Sequence, residues 1–324
     1  MTAPMSAPSF FEGPEKKLEL VVTSDHPPLR SLGESVWRDV VRAAKADVVS
    51  LVHHDACDAY LLSESSLFVF DDYCVMMTCG LTTLVDAVEK LLETIPPAAV
   101  AFLVYERKNE HLPERQPTTF HQDAKRLNAL IPGRAHRFGD EHGHYVQMFH
   151  SARPFVPEAT DPTLEVLMHG IDDPVASSFT SGAVEDEQAL ANVLGVDRIL
   201  PGFHTNEYVF EPAGYSLNAV RGEEYYTVHV TPEEVGSYVS FETNYDFRHD
   251  LTGLVARVTE LFQPRAFDVV TFLPEGRPEL SVPRYRLGDH VEKRLGGYGV
   301  TYFQYYLPPE GPREPYELSL PSEP

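Results

Sequence analysis

A chain of 324 residues, 43% of them apolar, is long enough to fill one large core or two ordinary ones and reads as a soluble globular protein. Its 49 acidic and 26 basic residues give a formal charge of -23, which argues against nucleic acid and anionic lipid as partners and would at most assist the approach of a cation. Cys57, Cys74 and Cys79 are odd in number and lack CxxC pairing, so neither a disulfide framework nor a zinc site is expected. The longest apolar run, 98–105, is far too short to span a bilayer, and no signal-peptide core is seen, so a cytoplasmic location is expected.

In chain order, a strand is predicted at 18–22, within the acidic stretch FFEGPEKKLEL. Leu32, Val36, Trp37, Val40, Val41 and Ala44 then recur at three and four residues, the period of an amphipathic helix. Strands are predicted at 48–53, 60–62, 66–70 and 73–78, the last two joined as a hairpin at Asp71-Asp72. A helix over 81–95 is stopped by Pro96-Pro97; a strand at 98–105, a charged loop, a helix over 119–131 and a Pro132-Gly133 turn follow. Near the end, Gly296-Gly297-Tyr298-Gly299 lacks the Lys-Ser/Thr of a phosphate cradle and reads as a turn into a strand at 300–307. Residues 308–324 are too proline-rich and charged for a core and are expected to be disordered.

Part of this plan recurs. LTTLVDAVEKLL from Leu81 and LTGLVARVTELF from Leu251 share Leu, Thr, Leu, Val, Val and Leu at an offset of 170 (251 minus 81). Each follows β-rich sequence and precedes an apolar strand, VAFLVYE or VVTFLPE, which favours an internal duplication over coincidence of helical period.

The stretch YLLSESSLFVFDDYCVMMTCG, from Tyr60 to Gly80, stands out because two serines and a carboxylate crowd a strand otherwise built of Leu, Phe and Val. Set beside FFEGPEKKLEL, EPAGYSLN (from Glu211), TVHVTPEE and SYVSFETN (between Thr227 and Asn244), it resembles the eukaryotic-type S-adenosylmethionine decarboxylase family, with the motifs in the family's order. The resemblance implies an α+β fold, a four-layer α/β/β/α sandwich of two related halves (roughly 10–150 and 160–307) with antiparallel sheets in one self-processing domain, 1–307. It also implies autocatalytic cleavage between Glu64 and Ser65 into β and α chains, with Ser65 becoming a pyruvoyl group. That ketone acts as an electron sink, forming a Schiff base with the substrate amine.

The roles implied by the resemblance are specific. Ser65 attacks the Glu64 carbonyl, Ser216 stabilises the oxyanion, His229 removes the α-proton and Cys79 donates the proton that completes decarboxylation; Glu12 and Glu15 match the family's two N-terminal acidic positions. Phe11 and Phe210 match the aromatics that sandwich adenine, Leu62 joins them in the substrate set, and Glu233 matches the carboxylate that reads the ribose diol. In animal members a buried acidic cluster binds putrescine; Glu19, Asp161, Thr163 and Glu165 match it, with Tyr105 and Arg107 nearby, while the lysine linking that cluster to the active site falls here at Met77. A diamine is therefore expected to bind and stabilise but to stimulate turnover weakly. Family members are monomers or dimers, and no interface patch in the sequence chooses a homodimer. The run HRFGDEHGHYVQMFH, with His136, His142, His144 and His150, has no partner at fixed ligand spacing, so no metal is expected. Two rivals stand beside this reading: a pyruvoyl decarboxylase of ornithine or arginine, and a non-catalytic paralogue that activates a partner.

Overall fold

In the computed structural model, period-two alternation produces two eight-stranded antiparallel sheets. The structure describes residues 10–179, 195, 198–233, 236–309 and 311–312, so most of the expected tail lies outside the described residues. The first sheet contains β1 (Lys16–Val22), β2 (Val48–His53), β3 (Asp58–Leu62), β4 (Ser65–Val69), β5 (Tyr73–Thr78), β6 (Val100–Lys108), β7 (Gly133–Gly139) and β8 (Tyr145–Ser151). Its spatial order is β2-β3-β4-β5-β1-β6-β8-β7. The second contains β9 (Thr163–His169), β10 (His204–Val209), β11 (Tyr215–Arg221), β12 (Glu224–Thr231), β13 (Tyr238–Thr243), β14 (Ala266–Leu273), β15 (Arg286–Leu295) and β16 (Tyr298–Tyr306), in the order β10-β11-β12-β13-β9-β14-β16-β15. Adding eight to every strand of the first sheet reproduces the second. The duplication suggested by the two helices thus extends to the whole topology.

Helices α1 (Glu34–Ala43), α2 (Leu84–Leu92) and α3 (Phe120–Leu130) cover the outer face of the first sheet, burying Trp37, Val41, Leu84, Val88 and Leu127 against Leu18, Leu20, Leu67 and Leu103. On the second sheet, α5 (Leu251–Phe262), with the short α4 (Asp173–Ser177) nearby, packs Leu254, Val255 and Val258 onto Leu164, Val166 and Phe241. The inner faces meet through Phe102, Val104, Val146 and Met148 on one side and Leu167, Val270, Phe272 and Tyr302 on the other. A second inner patch joins Phe68, Val75 and Met77 to Val220 and Tyr225. The result is the four-layer α/β/β/α sandwich.

Three of the boundaries that depart from the sequence reading bear on the site. Helix α2 starts at Leu84 rather than at 81, because Thr82 Oγ1 donates back to Thr78 Oγ1 (2.9 Å) and Cys79 O (3.1 Å), and the Thr83 amide donates to Ala44 O. Those bonds turn 79–83 into an anchored corner. Strand β1 begins two residues earlier than predicted, and β6 runs three residues further, to Lys108. Both extensions consist of charged residues, Lys16, Lys17, Glu106, Arg107 and Lys108, all buried. Propensity places such residues in loops, but here Lys17 and Lys108 find buried carboxylates on the other sheet, while Lys16 donates to Gly80 O and Arg107 to Asp123 on α3.

Candidate active site

Ser63 and Glu64 form the two-residue turn of the β3–β4 hairpin, with Leu62 and Ser65 paired across its base. A two-residue hairpin turn prefers Gly, Asn or Asp, and this one contains neither. It is held in place because Ser63 exchanges bonds with Asp47: the Ser63 amide donates to Asp47 O (2.8 Å) and Ser63 Oγ accepts from the Asp47 amide (2.9 Å). The distortion emerges at Ser65, whose φ of 142° is a conformation that a side chain-bearing residue adopts only at a cost of roughly 1–3 kcal/mol. The strained residue therefore adjoins the Glu64–Ser65 bond.

The Glu64 carbonyl oxygen accepts two hydrogen bonds, from the Cys79 amide (2.9 Å) and the Cys79 thiol (3.1 Å). Burial, followed by the charges of Glu64 and Glu15, pushes the thiol well above its ordinary pKa, so Cys79 is a neutral donor. On the other side, Ser65 Oγ lies 2.8 Å from His229 Nδ1 and 3.1 Å from Nε2. His229 Nδ1 lies 2.7 Å from Glu15 Oε1, which also accepts from Ser240 Oγ at 2.7 Å. Nε2 is 2.8 Å from both Ser66 Oγ and Thr227 Oγ1. Ser66 donates to Asn218 Oδ1 and Thr227 to Leu217 O, while Asn218 Nδ2 is anchored on Tyr60 O. Serine, histidine and glutamate thus form a chain with a fixed imidazole, the arrangement that moves protons between a hydroxyl and a base.

Two-residue periodicity explains why these groups converge. Ser216 and Asn218, Thr227 and His229, and Ser240 and Glu242 are i,i+2 pairs on β11, β12 and β13, so each pair shares one strand face. Ser216 is buried opposite His229 in the β11–β12 register, and among the described residues no hydrogen bond connects it to the Glu64 carbonyl; the donors there belong to Cys79. Glu12 also sits apart from the chain of bonds. Its two carboxylate oxygens accept from the amides of His111 (2.8 Å) and Leu112 (2.9 Å), and its carbonyl holds the Gly80 amide.

The remaining predicted residues come from separate elements, and among the described residues only Phe11 and Glu233 of this set bond directly to each other. The Phe11 amide donates to Glu233 Oε1 at 2.9 Å, tying the two halves together. The Phe11 ring is over one-third exposed and lies so close to Gly80 that a Cβ there would approach it to 3.1 Å; Gly80 itself has φ +66°. Phe210 is half-buried beside Gly214, with the Tyr208 ring edge-on at 4.8 Å. Leu62 contributes no side chain here: it is fully buried in the core beneath α1 and α2, leaving only its backbone near Ser65.

The family model described as adenosylmethionine decarboxylase matches residues 8–306. The S-adenosylmethionine decarboxylase proenzyme of Dictyostelium discoideum is 31% identical over 91% of this chain and 85% of its own length. That of Ipomoea nil is 34% identical over 90% of this chain and 88% of its own. The crystal structure of the Trypanosoma brucei AdoMetDC-delta26 monomer superimposes with a TM-score of 0.60 at 24% identity, covering 75% of this chain and all of that one, and so supports the fold. The chain belongs to the adenosylmethionine decarboxylase family.

Within this family framework, the acidic cluster differs from the sequence reading in its cation. Lys17 Nζ lies 2.8 Å from Glu165 Oε1 and 3.0 Å from Glu242 Oε2, all three side chains buried between the sheets, and 5.5 Å from the Phe272 ring centroid. Burial opposes the Lys17 charge, but Glu165 and then Glu242 outweigh it and hold the pKa well above the ordinary value. Lys17 is the cross-strand partner of Met77 in the β1–β5 pair. Methionine at 77 therefore does not leave the cluster without a cation, because the neighbouring strand supplies Lys17. Glu19 is pushed up to about 8 by burial despite Lys17, with Asp161 and Glu242 adding to the rise; Asp161 accepts from the Tyr298 hydroxyl. Tyr105 and Arg107 point elsewhere, both donating to Asp123 Oδ2 on α3 (2.6 and 2.8 Å). In this cluster the sequence reading missed Lys17 and Glu242, although Lys17 shares a strand face with Glu19 by simple alternation; around Ser65 it missed Asn218, Thr227 and Ser240.

The four histidines of the 136–150 run do not converge. His136 and His150 stack with centroids 5.5 Å apart, and His142 is exposed on a loop. His144 instead stacks on His169 at 4.1 Å beside Asp268, and these three place ligand-type atoms within 4.8 Å of one another. Lys108 Nζ already lies 3.1 Å from Asp268 Oδ2, so that carboxylate has a protein cation.

Proposed function

We propose that this chain cleaves itself between Glu64 and Ser65 and then decarboxylates S-adenosylmethionine, the observation that carries the reading being Ser65 Oγ on His229 with the Glu64 carbonyl held by two Cys79 donors. Ser65 Oγ attacks the Glu64 carbonyl carbon, and its proton passes to the adjacent Ser65 nitrogen as the amide bond breaks. The product is an ester, and the strain at Ser65 is relieved. Cys79 N–H and S–H hold the oxyanion as it forms, a contribution of the kind worth about 2.7–4 kcal/mol per donor in hydrolases. His229, oriented by Glu15, then removes the Ser65 α-proton, and the ester C–O bond breaks to release Glu64 as a carboxylate. Tautomerisation and attack by water expel ammonia and leave a ketone at position 65. The surroundings fit such a group: His229, tied to the Ser66 and Thr227 hydroxyls, lies on the Ser65 side chain, and the neutral Cys79 thiol lies on the preceding carbonyl.

The ketone, once formed, supplies the electron sink for loss of carbon dioxide. This chain's residues do the rest. Phe11 and Phe210 offer aromatic faces to adenine and sulfonium, and Glu233 accepts from the ribose hydroxyls. The neutral Cys79 thiol is placed to return a proton to the substrate carbon. Carboxyl-labelled S-adenosylmethionine, ornithine and arginine should be compared directly: release of carbon dioxide is expected from S-adenosylmethionine alone, and release from either basic amino acid would overturn the substrate assignment. Phe210→Ala and Glu233→Gln should each raise KM by roughly tenfold, about 1.4 kcal/mol of lost contact, while still being cleaved.

Lys17 also bears on regulation. With an ammonium already shared by Glu165 and Glu242, we read the cluster as self-supplied, so putrescine is expected to stimulate turnover weakly or not at all. The cleaved β and α chains stay together because β1 and β3, which precede the cut, pair within the first sheet with β5, β6 and β4, which follow it.

A further inference from the structure

The cationic residues of this acidic chain are not spread evenly. A cavity of about 440 Å³ opens where the edge strands of the two sheets come together, lined by Arg134 and His136 from β7, His150 from the end of β8, Arg153 just after it, and Lys293 and Arg294 from β15. No lining residue is acidic. Among the described residues, none of Arg134, Arg153, Lys293 and Arg294 forms an ion pair with a carboxylate. Arg153 is spent on backbone carbonyls, Ala98 O at 2.9 Å and Val100 O at 2.7 Å, and Arg294 donates to Gly297 O, so their positions are fixed while their charges stay uncompensated. In a chain with 49 acidic side chains, four unpaired cations around one cavity are not the default arrangement of surface charge. Burial, then Lys293, lowers the pKa of His136, and burial lowers that of His150, with Arg134 and Lys293 acting in the same direction.

Two features left without a role converge here. The glycine turn Gly296-Gly297, between β15 and β16, forms part of the wall and has φ values of +59° and +126°. A Cβ at Gly296 would approach Phe102 to 2.2 Å, and one at Gly297 would approach Phe155 O to 2.4 Å, so this turn must stay small to pack where it does. Phe155, stacked on Phe102 at 4.9 Å, and the stacked pair His136–His150 add flat aromatic surface. The volume lies within the range of metabolite pockets, roughly 300–1,000 Å³. Four positive charges call for a ligand with several negative ones.

We propose that this cavity is a binding site for a small polyanion carrying two or more phosphate groups. The phosphates are met by Arg134, Lys293 and Arg294, with Arg153 adding its field from the wall. The site is separate from the active site, and its existence does not depend on the function proposed above.

Isothermal titration calorimetry on the purified protein with tripolyphosphate, ATP and inorganic phosphate, at matched ionic strength, tests this. Saturable binding of one tripolyphosphate is expected, at least tenfold tighter than phosphate. Tighter binding of ATP would assign the aromatic wall to a nucleoside, and equal binding would assign the site to the phosphate chain alone. The double substitution Arg134→Gln/Lys293→Gln, at two exposed positions, should weaken binding at least tenfold while leaving decarboxylation and the ligand-free melting temperature unchanged. Non-saturable heats, or binding that the double substitution does not alter, would overturn the proposal. So would a change of oligomeric state in the variant by sedimentation without any tripolyphosphate binding, which would assign the cations to an acidic protein surface instead.

Discussion

His229→Ala is expected to arrest the chain as an ester at Glu64–Ser65, so that denatured variant remains a single chain until hydroxylamine splits it into pieces of 64 and 260 residues (324 minus 64). The two steps make different demands. Attack by Ser65 Oγ is helped by strain at φ 142° and by the Cys79 donors on the Glu64 carbonyl, and its proton only travels from oxygen to the adjacent nitrogen. Elimination must remove a proton from carbon, which needs a placed base, a contribution of roughly 10²–10⁴ in rate. His229 is that base, held by Glu15 at 2.7 Å. A His229→Ala chain that resists hydroxylamine would place His229 in the attack itself, and one that processes at the normal rate would remove it from both steps.

Lys17→Met should destabilise the fold by about 3–5 kcal/mol, because it leaves Glu165 and Glu242 buried without their cation. For a chain of this size that amounts to a fall in melting temperature of roughly 10 °C. Methionine preserves most of the side-chain volume, so the loss is electrostatic. It should also depend on pH in a defined direction. Burial raises the folded-state pKa of Glu242 to about 7 and that of Glu19 to about 8, and removing Lys17 raises both further. A carboxyl group whose pKa is raised on folding contributes its stability below the unfolded value near 4.5 and loses it as pH climbs towards the folded value. The variant should therefore be closest to wild type near pH 5 and weakest above pH 8. Putrescine, a dication of suitable charge, should raise the melting temperature of the variant more than that of wild type. Equal melting of the two proteins at pH 8 would mean that the carboxylates share protons instead of depending on Lys17.

The strand-rich plan was legible because its signals are local, whereas the candidate site residues came from the resemblance of whole motifs to a family. Alternation marked β2, β4 and β5 within a residue or two, the helical period marked α1 and α3, and the shared LT-L motif foretold a duplication that the strand orders repeat in full. Ser65, His229, Glu15 and Cys79 meet around one bond, although 164 residues separate Ser65 from His229. Pairings across that distance were the hardest to read. Lys17 was overlooked because lysine argues for a strand end, and only the opposing Glu165 and Glu242, brought from the other sheet, make its burial favourable. The Cys79 contacts on the Glu64 carbonyl arise from the corner that Thr82 and Thr83 tie down, a tertiary detail that helical periodicity concealed by suggesting a start at 81. Glu12 and Leu62 carry family positions, yet their side chains serve a loop and a core.

Intact-mass spectrometry of the freshly purified, folded protein tests the central claim most directly. Cleavage predicts two chains, one of 64 residues ending in a free carboxyl at Glu64 and one of 260 residues whose first residue is a ketone in place of Ser65, lighter by the elements of ammonia than hydrolysis would leave and blocked to Edman degradation. Ser65→Ala should give one chain of 324 residues. A wild-type protein found only at full length, with its fold intact by circular dichroism, would contradict both the self-processing and the decarboxylation that depends on it.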